Sequence, residues 1–189
     1  MARLATVEDF NGVLYDPPYH EYGFFAERAA WINAAYPGVG KVAVVGAALG
    51  YLVKELRLLG IDAWGTDQSA WALTQVPAEV SAYMFYADLS RNKDRQDFIS
   101  FCGLGRNQKF SLAVTEDVLP CLTNNETVAL CNVINGSAVQ ALHIISPLDL
   151  TITQEPGFNW KTIQDWRTLV DTAAAIPTRV IDVNYREAL

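Results

Sequence analysis

The sequence predicts an α/β fold, a three-layer sandwich in which a mostly parallel sheet of six or seven strands lies between helices. Three observations carry that expectation. Short runs rich in Val, Ile and Ala alternate with longer segments of helical periodicity along the chain. The runs are apolar throughout, as strands buried on both faces must be. At 189 residues, with 51% hydrophobic and 19% charged side chains, the chain is sized for one domain. That domain, 1–189, divides into an N-terminal lid and helix over 1–40 and a sheet core over 41–189.

Residues 1–20 are a lead-in carrying Tyr15, Pro17, Pro18 and Tyr19. Over 21–36, Phe25, Ala29 and Ile32 fall at i, i+4 and i+7, the spacing of one helix face, and Pro37-Gly38 ends the run. The β-branched run 41–45 is a buried strand and Gly46 to Gly50 a turn. Leu52, Leu56 and Leu59 mark the inner stripe of the next helix, which Gly60 ends. A second strand over 61–65 leads to Asp67, a helix begins over 69–73, and a third strand over 82–86 precedes Asp88. Residues 92–101 read as a polar helix and 110–115 as another buried strand. Thr123-Asn-Asn-Glu126 has the pattern of a capping box, in which the Thr hydroxyl and the Glu carboxylate each take a backbone N–H at the helix start. The helix it opens is expected to stop at Asn135-Gly136. A fifth strand spans 139–145. A second box, Thr162-Ile-Gln-Asp165, opens a helix with Ile163, Trp166 and Val170 inward, and 179–183 is the final strand.

Fourteen basic against twenty-one acidic residues give a net charge of −7, a surface that repels polyphosphate at long range and makes nucleic acid a disfavoured partner. Arg91, Lys93, Arg95, Arg106 and Lys109 share one window with Asp94 and Asp97, which reads as a solvated helix and loop before it reads as an anion-binding edge. Cys102, Cys121 and Cys131 are odd in number, lie in apolar surroundings and lack C-x-x-C spacing. A disulfide framework and a zinc site are unsupported, and a reducing, cytoplasmic compartment is expected. Two histidines, His20 and His143, are too few for a His-rich metal centre. The longest apolar run, 42–53, is too short to span a bilayer, and the first residues lack a basic-then-apolar signal pattern, so no membrane is expected as a partner.

In a parallel sheet covered on both faces, ligands bind beyond the carboxyl ends of the strands, where strand order reverses. Gly46-Ala-Ala-Leu-Gly50 follows the first strand. Its small residues let a ligand approach the backbone, and N–H groups at the helix start can bind it. Asp67, twenty-one residues after Gly46, ends the second strand, where a carboxylate can accept both hydroxyl hydrogens of a ribose. Asp88 follows the third strand and Glu116-Asp117 the fourth. A glycine turn or a strand-end Asp also arises from packing or capping alone. Their joint occurrence at these places favours a nucleoside-containing ligand.

Val44-Val-Gly-Ala-Ala-Leu-Gly-Tyr51, Gly60-Ile-Asp-Ala-Trp-Gly-Thr-Asp67 and Thr115-Glu-Asp-Val-Leu-Pro-Cys-Leu122 resemble, in order and spacing, three motifs of class I S-adenosylmethionine-dependent methyltransferases. These are motif I, the second-strand acid and the fourth-strand motif. Tyr15-Asp-Pro-Pro-Tyr-His-Glu-Tyr22 is similar to the Tyr-rich start of small stand-alone members, many of them carried by bacteriophages. Asn159-Trp-Lys-Thr-Ile-Gln-Asp-Trp166 is similar to the family's late helix. The resemblance implies a Rossmann-like sandwich, S-adenosylmethionine as cofactor, and methyl transfer to a small-molecule, sugar or peptide acceptor. It implies that Gly46, Ala48 and Gly50 line the methionine and ribose side, and that Asp67 holds the ribose. It further implies that Asp88 accepts the adenine amino group with Leu89 beside the ring, and that Glu116 lies near the methionine end. Tyr15 and its neighbours would close over the cofactor.

Two places depart from the family pattern. Val44 stands where an acid often precedes the first glycine, with Ala48 replacing the middle glycine, and Pro120-Cys121 stands where Glu-His is common, which removes a general base. A catalytically degenerate binding protein is therefore the alternative. A nicotinamide-dependent oxidoreductase ranks last, because the turn is not Gly-x-Gly-x-x-Gly. Asp16-Pro-Pro-Tyr19 copies the signature with which DNA adenine methyltransferases hold a flipped base. Those enzymes carry it at the end of the fourth strand, a place Glu116-Asp117 already fills, and here it reads as a lid or turn. Tyr19, His20 and Glu116 are the candidates for taking a proton from an acceptor. His143, inside the fifth strand, reads as a core histidine. The oligomeric state is open, a homodimer among the alternatives.

Overall fold

In the computed structural model, which describes residues 22–105, 107–145 and 158–183, the valine-rich run that opens the core lies at the centre of the sheet. β1 (Val42–Val45) pairs in parallel with β2 (Ala63–Asp67) on one side and with β4 (Leu112–Glu116) on the other. β3 (Met84–Tyr86) extends the β2 edge, while β5 (Ala141–Ile145) and β6 (Thr178–Asp182) extend the β4 edge. The order is β3-β2-β1-β4-β5-β6, six strands among the described residues, all parallel.

Because side chains alternate across a strand, β1 feeds two cores at once. Val42 and Val44 enter the core under α1 (Tyr22–Ala35), α2 (Tyr51–Leu58) and α3 (Ala70–Thr74). Ala43 enters the one under α4 (Asn92–Phe101) and α5 (Asn124–Ser137). A third cluster joins α5 to α6 (Ile163–Asp171) through Cys131, Ile145, Trp166 and Val180. This is the expected sandwich. Gly65 lets the layers meet: a Cβ there would fall 2.3 Å from the Met84 sulfur and 2.9 Å from both Ala47 and Val53. Among the described residues no helix is long and apolar enough to cross a membrane.

Both capping boxes form as expected, at Thr123 with Glu126 and at Thr162 with Asp165. Phe25, Ala29 and Ile32 are buried as their spacing requires. Several boundaries differ. The second strand starts at Ala63 rather than 61, because Gly60 is left-handed and Ile61 N–H closes back on Leu56 O to cap α2. That cap also ends the helix before Leu59, which is 46% exposed rather than inward. The third strand loses its first two residues to a 3-10 turn over Ser81–Tyr83. Phe110 makes an isolated bridge to Ala138, and β4 runs on to Glu116. Gly136 does not stop α5, which continues to Ser137. There the Ser137 hydroxyl donates to Val133 O, and the Asn135 amide leaves the helix to hold Ala173 O and Ala175 N–H. The fifth strand begins at Ala141, leaving Val139 exposed, and the sixth spans Thr178–Asp182.

The basic window is neutralised by its own neighbours. Arg91 pairs with Asp88 and Lys93 with Asp97, Arg95 donates to Leu89 O and Ser90 O, and Lys109 to Asn135 O. Arg106 lies outside the described residues.

Candidate active site

Strand order reverses between β1 and β4, so the crevice of this sheet opens between the turn after β1 and the turn after β4. The two turns touch. Gly46 (φ 68°) faces Val118, whose Cγ2 would lie 2.3 Å from a Cβ on Gly46. Both turns hold a non-glycine residue in the left-handed region, Ala48 and Asp117, each at φ 50°. Such strain, about 1–2 kcal/mol for an L-residue, persists where surrounding structure enforces it and gathers at ligand sites. Gly50, also left-handed at φ 78°, caps α2 with no side-chain oxygen on the first-turn N–H groups.

Asp67 enforces the first turn. Its Oδ2 accepts Ala48 N–H at 2.8 Å and its Oδ1 accepts Ser69 N–H at 2.8 Å. Gly46 and Ala47 N–H both donate to Thr66 O, at 2.9 and 3.0 Å. Burial pushes the Asp67 carboxyl above its ordinary value, and the backbone donors of Ser69, Ala48 and Gln68 oppose that shift. Each carboxylate oxygen accepts two hydrogen bonds, so Asp67 retains acceptor capacity toward the crevice. Asp88 follows β3, which Ala87 N–H ties to Asp67 O at 3.0 Å. Its carboxylate accepts Ser90 N–H at 3.0 Å and faces Arg91 Nε at 3.2 Å, and Leu89 beside it is half-buried.

Glu116 ends β4 on the α1 side of the sheet and receives Arg28 of that helix, whose guanidinium donates to its Oε1. Arg28 is fully buried, and its guanidinium lies 3.9 Å from the Phe24 ring centroid. Burial pushes Glu116 up to about 7; Arg28 pulls it down and Asp117 pushes it further up. Arg28 was absent from the sequence reading, although a signal existed: at i+3 from Phe25 and i+4 before Ile32, it is a charge within the apolar stripe.

Pro120 is buried and the Cys121 thiol donates to Asp117 O at 3.3 Å, with burial pushing that thiol up to about 12. Asn159, which the sequence marks only as the start of the late-helix motif, holds this turn from outside. Its N–H donates to Pro120 O at 2.6 Å, and its side-chain amide to Leu122 O and Asn124 Oδ1 at 2.9 and 3.1 Å. His143 is buried, its Nδ1 2.8 Å from the Thr115 hydroxyl, and burial lowers it to about 4. Tyr15, the Asp16–Tyr19 motif and His20 lie outside the described residues. A groove between α4 and α5, lined by Arg95, Gln96, Asn132 and Val133, lies over the face of the sheet, away from these strand-end groups. No grouping of metal-ligating side chains occurs among the described residues.

No family model matches the chain, and no curated protein matches it. Solved structures do. The magnesium protoporphyrin IX methyltransferase ChlM of Synechocystis PCC 6803, with bound SAH, superposes with a TM-score of 0.63 at 17% identity, over 88% of this chain and 86% of that one. DesVI of Streptomyces venezuelae superposes with a TM-score of 0.53 at 14% identity, over 79% of this chain; the chain spans 61% of DesVI. The strand order, the post-strand turns and these superpositions agree: the chain has the Rossmann-like fold of the class I S-adenosylmethionine-dependent methyltransferases.

Proposed function

We propose that this protein transfers a methyl group from S-adenosylmethionine to a small-molecule, sugar or peptide acceptor. The observation that carries the reading is the crevice at the strand-order reversal. A left-handed glycine turn held by the Asp67 carboxylate lies there against the turn after β4, with Glu116 at the end of β4 and Asp88 just past β3, on a chain that superposes on ChlM over most of its length. The residues present fit the cofactor. The N–H groups of Gly46, Ala47, Ala48 and Gly50 are spent inside the turn, so the turn would meet the cofactor through its small residues; Asp67 has acceptor capacity for a ribose, and Asp88 with Leu89 would meet an adenine. Glu116 would lie toward the methionine end, and Tyr15 is proposed, on the family resemblance alone, to cover the cofactor. Bound there, the cofactor supplies an electrophilic methyl on a sulfonium. The chain's contribution is orientation and exclusion of water, which account for much of the acceleration of such transfers. Tyr19 and His20 remain the groups proposed to take the acceptor's proton, since Glu116 is committed to Arg28.

The net charge of −7 favours a small acceptor over nucleic acid. One observation favours a second reading, binding without transfer: the family's general-base position holds the buried Pro120 and the half-buried Cys121.

Calorimetric titration with S-adenosylmethionine, S-adenosylhomocysteine and NAD tests both. Binding of the two sulfur nucleosides and not NAD is expected, with Asp67→Ala weakening it at least about tenfold. Silence with both sulfur nucleosides would sink the proposal. Binding without turnover in a broad acceptor screen would favour the second reading.

A further inference from the structure

Methyl transfer at the strand ends leaves the groove between α4 and α5 unused. It encloses about 350 Å³, the size of a small-ligand pocket. α4 contributes Arg95, Gln96 and Ile99 to its walls, and α5 contributes Asn132, Val133 and Gly136. Beneath it a narrower void of about 20 Å³ reaches the sheet among Phe98, Phe110, Ala113 and Ile134. The two spaces share Arg95, Ile99, Val133 and Ser137 in their walls, so the floor is apolar and the lip polar. Among the described residues no acid lines either space.

Two features make this more than a packing gap. The first is the charge at the lip. Arg91 and Lys93 each pair with a carboxylate, whereas Arg95 is held by uncharged oxygens. Its Nη1 donates to Leu89 O at 2.7 Å and Ser90 O at 3.1 Å, and its Nη2 to Asn92 Oδ1 at 3.2 Å. The acids of α4 are engaged elsewhere, Asp94 accepting Asp88 N–H and Asp97 holding Lys93. A guanidinium has five N–H donors. The two left over sit on Nε and Nη2, the nitrogens along one edge of the plane, whose fork fits both oxygens of a carboxylate. The second feature is Gly136. It lies inside α5 without a left-handed φ, and a Cβ there would meet nothing within 4 Å. Neither backbone conformation nor close packing calls for glycine, a poor helix residue, at this place. Its effect is to keep the α5 wall of the groove open.

We propose that this groove binds a small carboxylate with an apolar body, the anion on the open edge of Arg95 and the body along Ile99 and Val133 toward the void below. The walls offer a guanidinium and no acid, on a chain whose net charge of −7 elsewhere turns anions away. The Gln96 and Asn132 amides at the lip can donate to the same carboxylate. The apolar floor favours a body without polar groups, since any placed there would lose their hydrogen bonds to water.

Titration of the whole, isotope-labelled chain with octanoate and with 3-phenylpropionate, followed by two-dimensional NMR, tests this. At least one of the two acids is expected to bind saturably and to move the signals of Arg95, Gln96, Asn132 and Gly136. The alcohol of the same body, which lacks the anion, and acetate, which lacks the body, should each bind at least about tenfold more weakly. Arg95→Gln, which keeps a donor for Leu89 O, should weaken the acid about tenfold. Gly136→Leu should fill the groove and abolish binding, with a urea midpoint no lower than that of the wild type because leucine is the better helix former. Failure of both acids to bind saturably overturns the proposal. Equal binding of acid and alcohol overturns the carboxylate assignment, and binding that survives Gly136→Leu overturns the groove as the site.

Discussion

The two ends of the sheet are built on opposite terms. At the amino ends of β1 and β2, Asp62 accepts from Lys41 at 2.9 Å, Arg57 at 3.2 Å and the Trp64 indole at 2.7 Å. The Arg57 guanidinium lies 3.3 Å from the Tyr83 ring centroid, and Lys41 also donates to Cys102 O at 2.6 Å. Burial works against ionised Asp62, yet Lys41, Trp64 and Arg57 outweigh it and hold the carboxyl below its ordinary range. At the carboxyl ends, burial wins instead: Asp67 and Glu116 are held above theirs, beside two left-handed non-glycine residues. One end satisfies its own charges, while the other keeps backbone strain and buried carboxyls side by side.

The contrast breaks most readily at Gly46. Valine there would clash with Val118 and hold a β-branched residue at φ 68°, and Gly46→Val is expected to cost about 3–4 kcal/mol in urea denaturation. An unchanged midpoint would mean the two turns separate freely. The Glu116 difference should appear as a pH dependence. Its folded-state pKa is raised, so its stabilising contribution is fully present below the ordinary value of 4.5 and is lost as pH rises through about 7. That loss is up to about 3 kcal/mol, and Glu116→Gln should remove it. Stability curves of wild type and variant that run parallel from pH 4 to 8 would refute the assignment. Ala48→Gly should stabilise by about 0.5–1 kcal/mol, since relief of the left-handed alanine exceeds the entropy glycine adds to the unfolded chain. A lower thermal midpoint would show that Ala48 is not strained. The smallest effect belongs to the satisfied end. Asp62 is 47% exposed, so Asp62→Asn should cost about 0.5 kcal/mol, less still in concentrated salt. A larger cost would show that end to be cooperative.

What could be read from the sequence follows the range of the interactions concerned. The two capping boxes and α4 are local, set by side chains three residues apart or by continuous periodicity, and they stand where the pattern puts them. The strand starts after Gly60 and Gly136 move because neighbouring turns consume residues that composition assigns to strands. In the site, Asp67 beside the glycine turn was legible because a fixed spacing joins them. Arg28 on Glu116 and Asn159 on Pro120 were not, since each pairing is made by the assembled layers and no interval in the chain encodes it.

The continuation of α5 through Asn135-Gly136 bears on how the protein ages. An Asn-Gly pair in a flexible turn loses ammonia when the glycine nitrogen attacks the asparagine side-chain carbonyl and closes a succinimide, which water then opens to aspartate or isoaspartate. Here the backbone is helical, and the Asn135 amide is held at both ends, donating to Ala173 O at 2.6 Å and accepting Ala175 N–H at 3.1 Å. The attack geometry is withheld as long as α5 and the segment after α6 stay docked. Deamidation at Asn135, followed by peptide mass spectrometry during storage, should therefore track transient undocking of the β6 edge and give a chemical clock for an opening too rare to be seen otherwise.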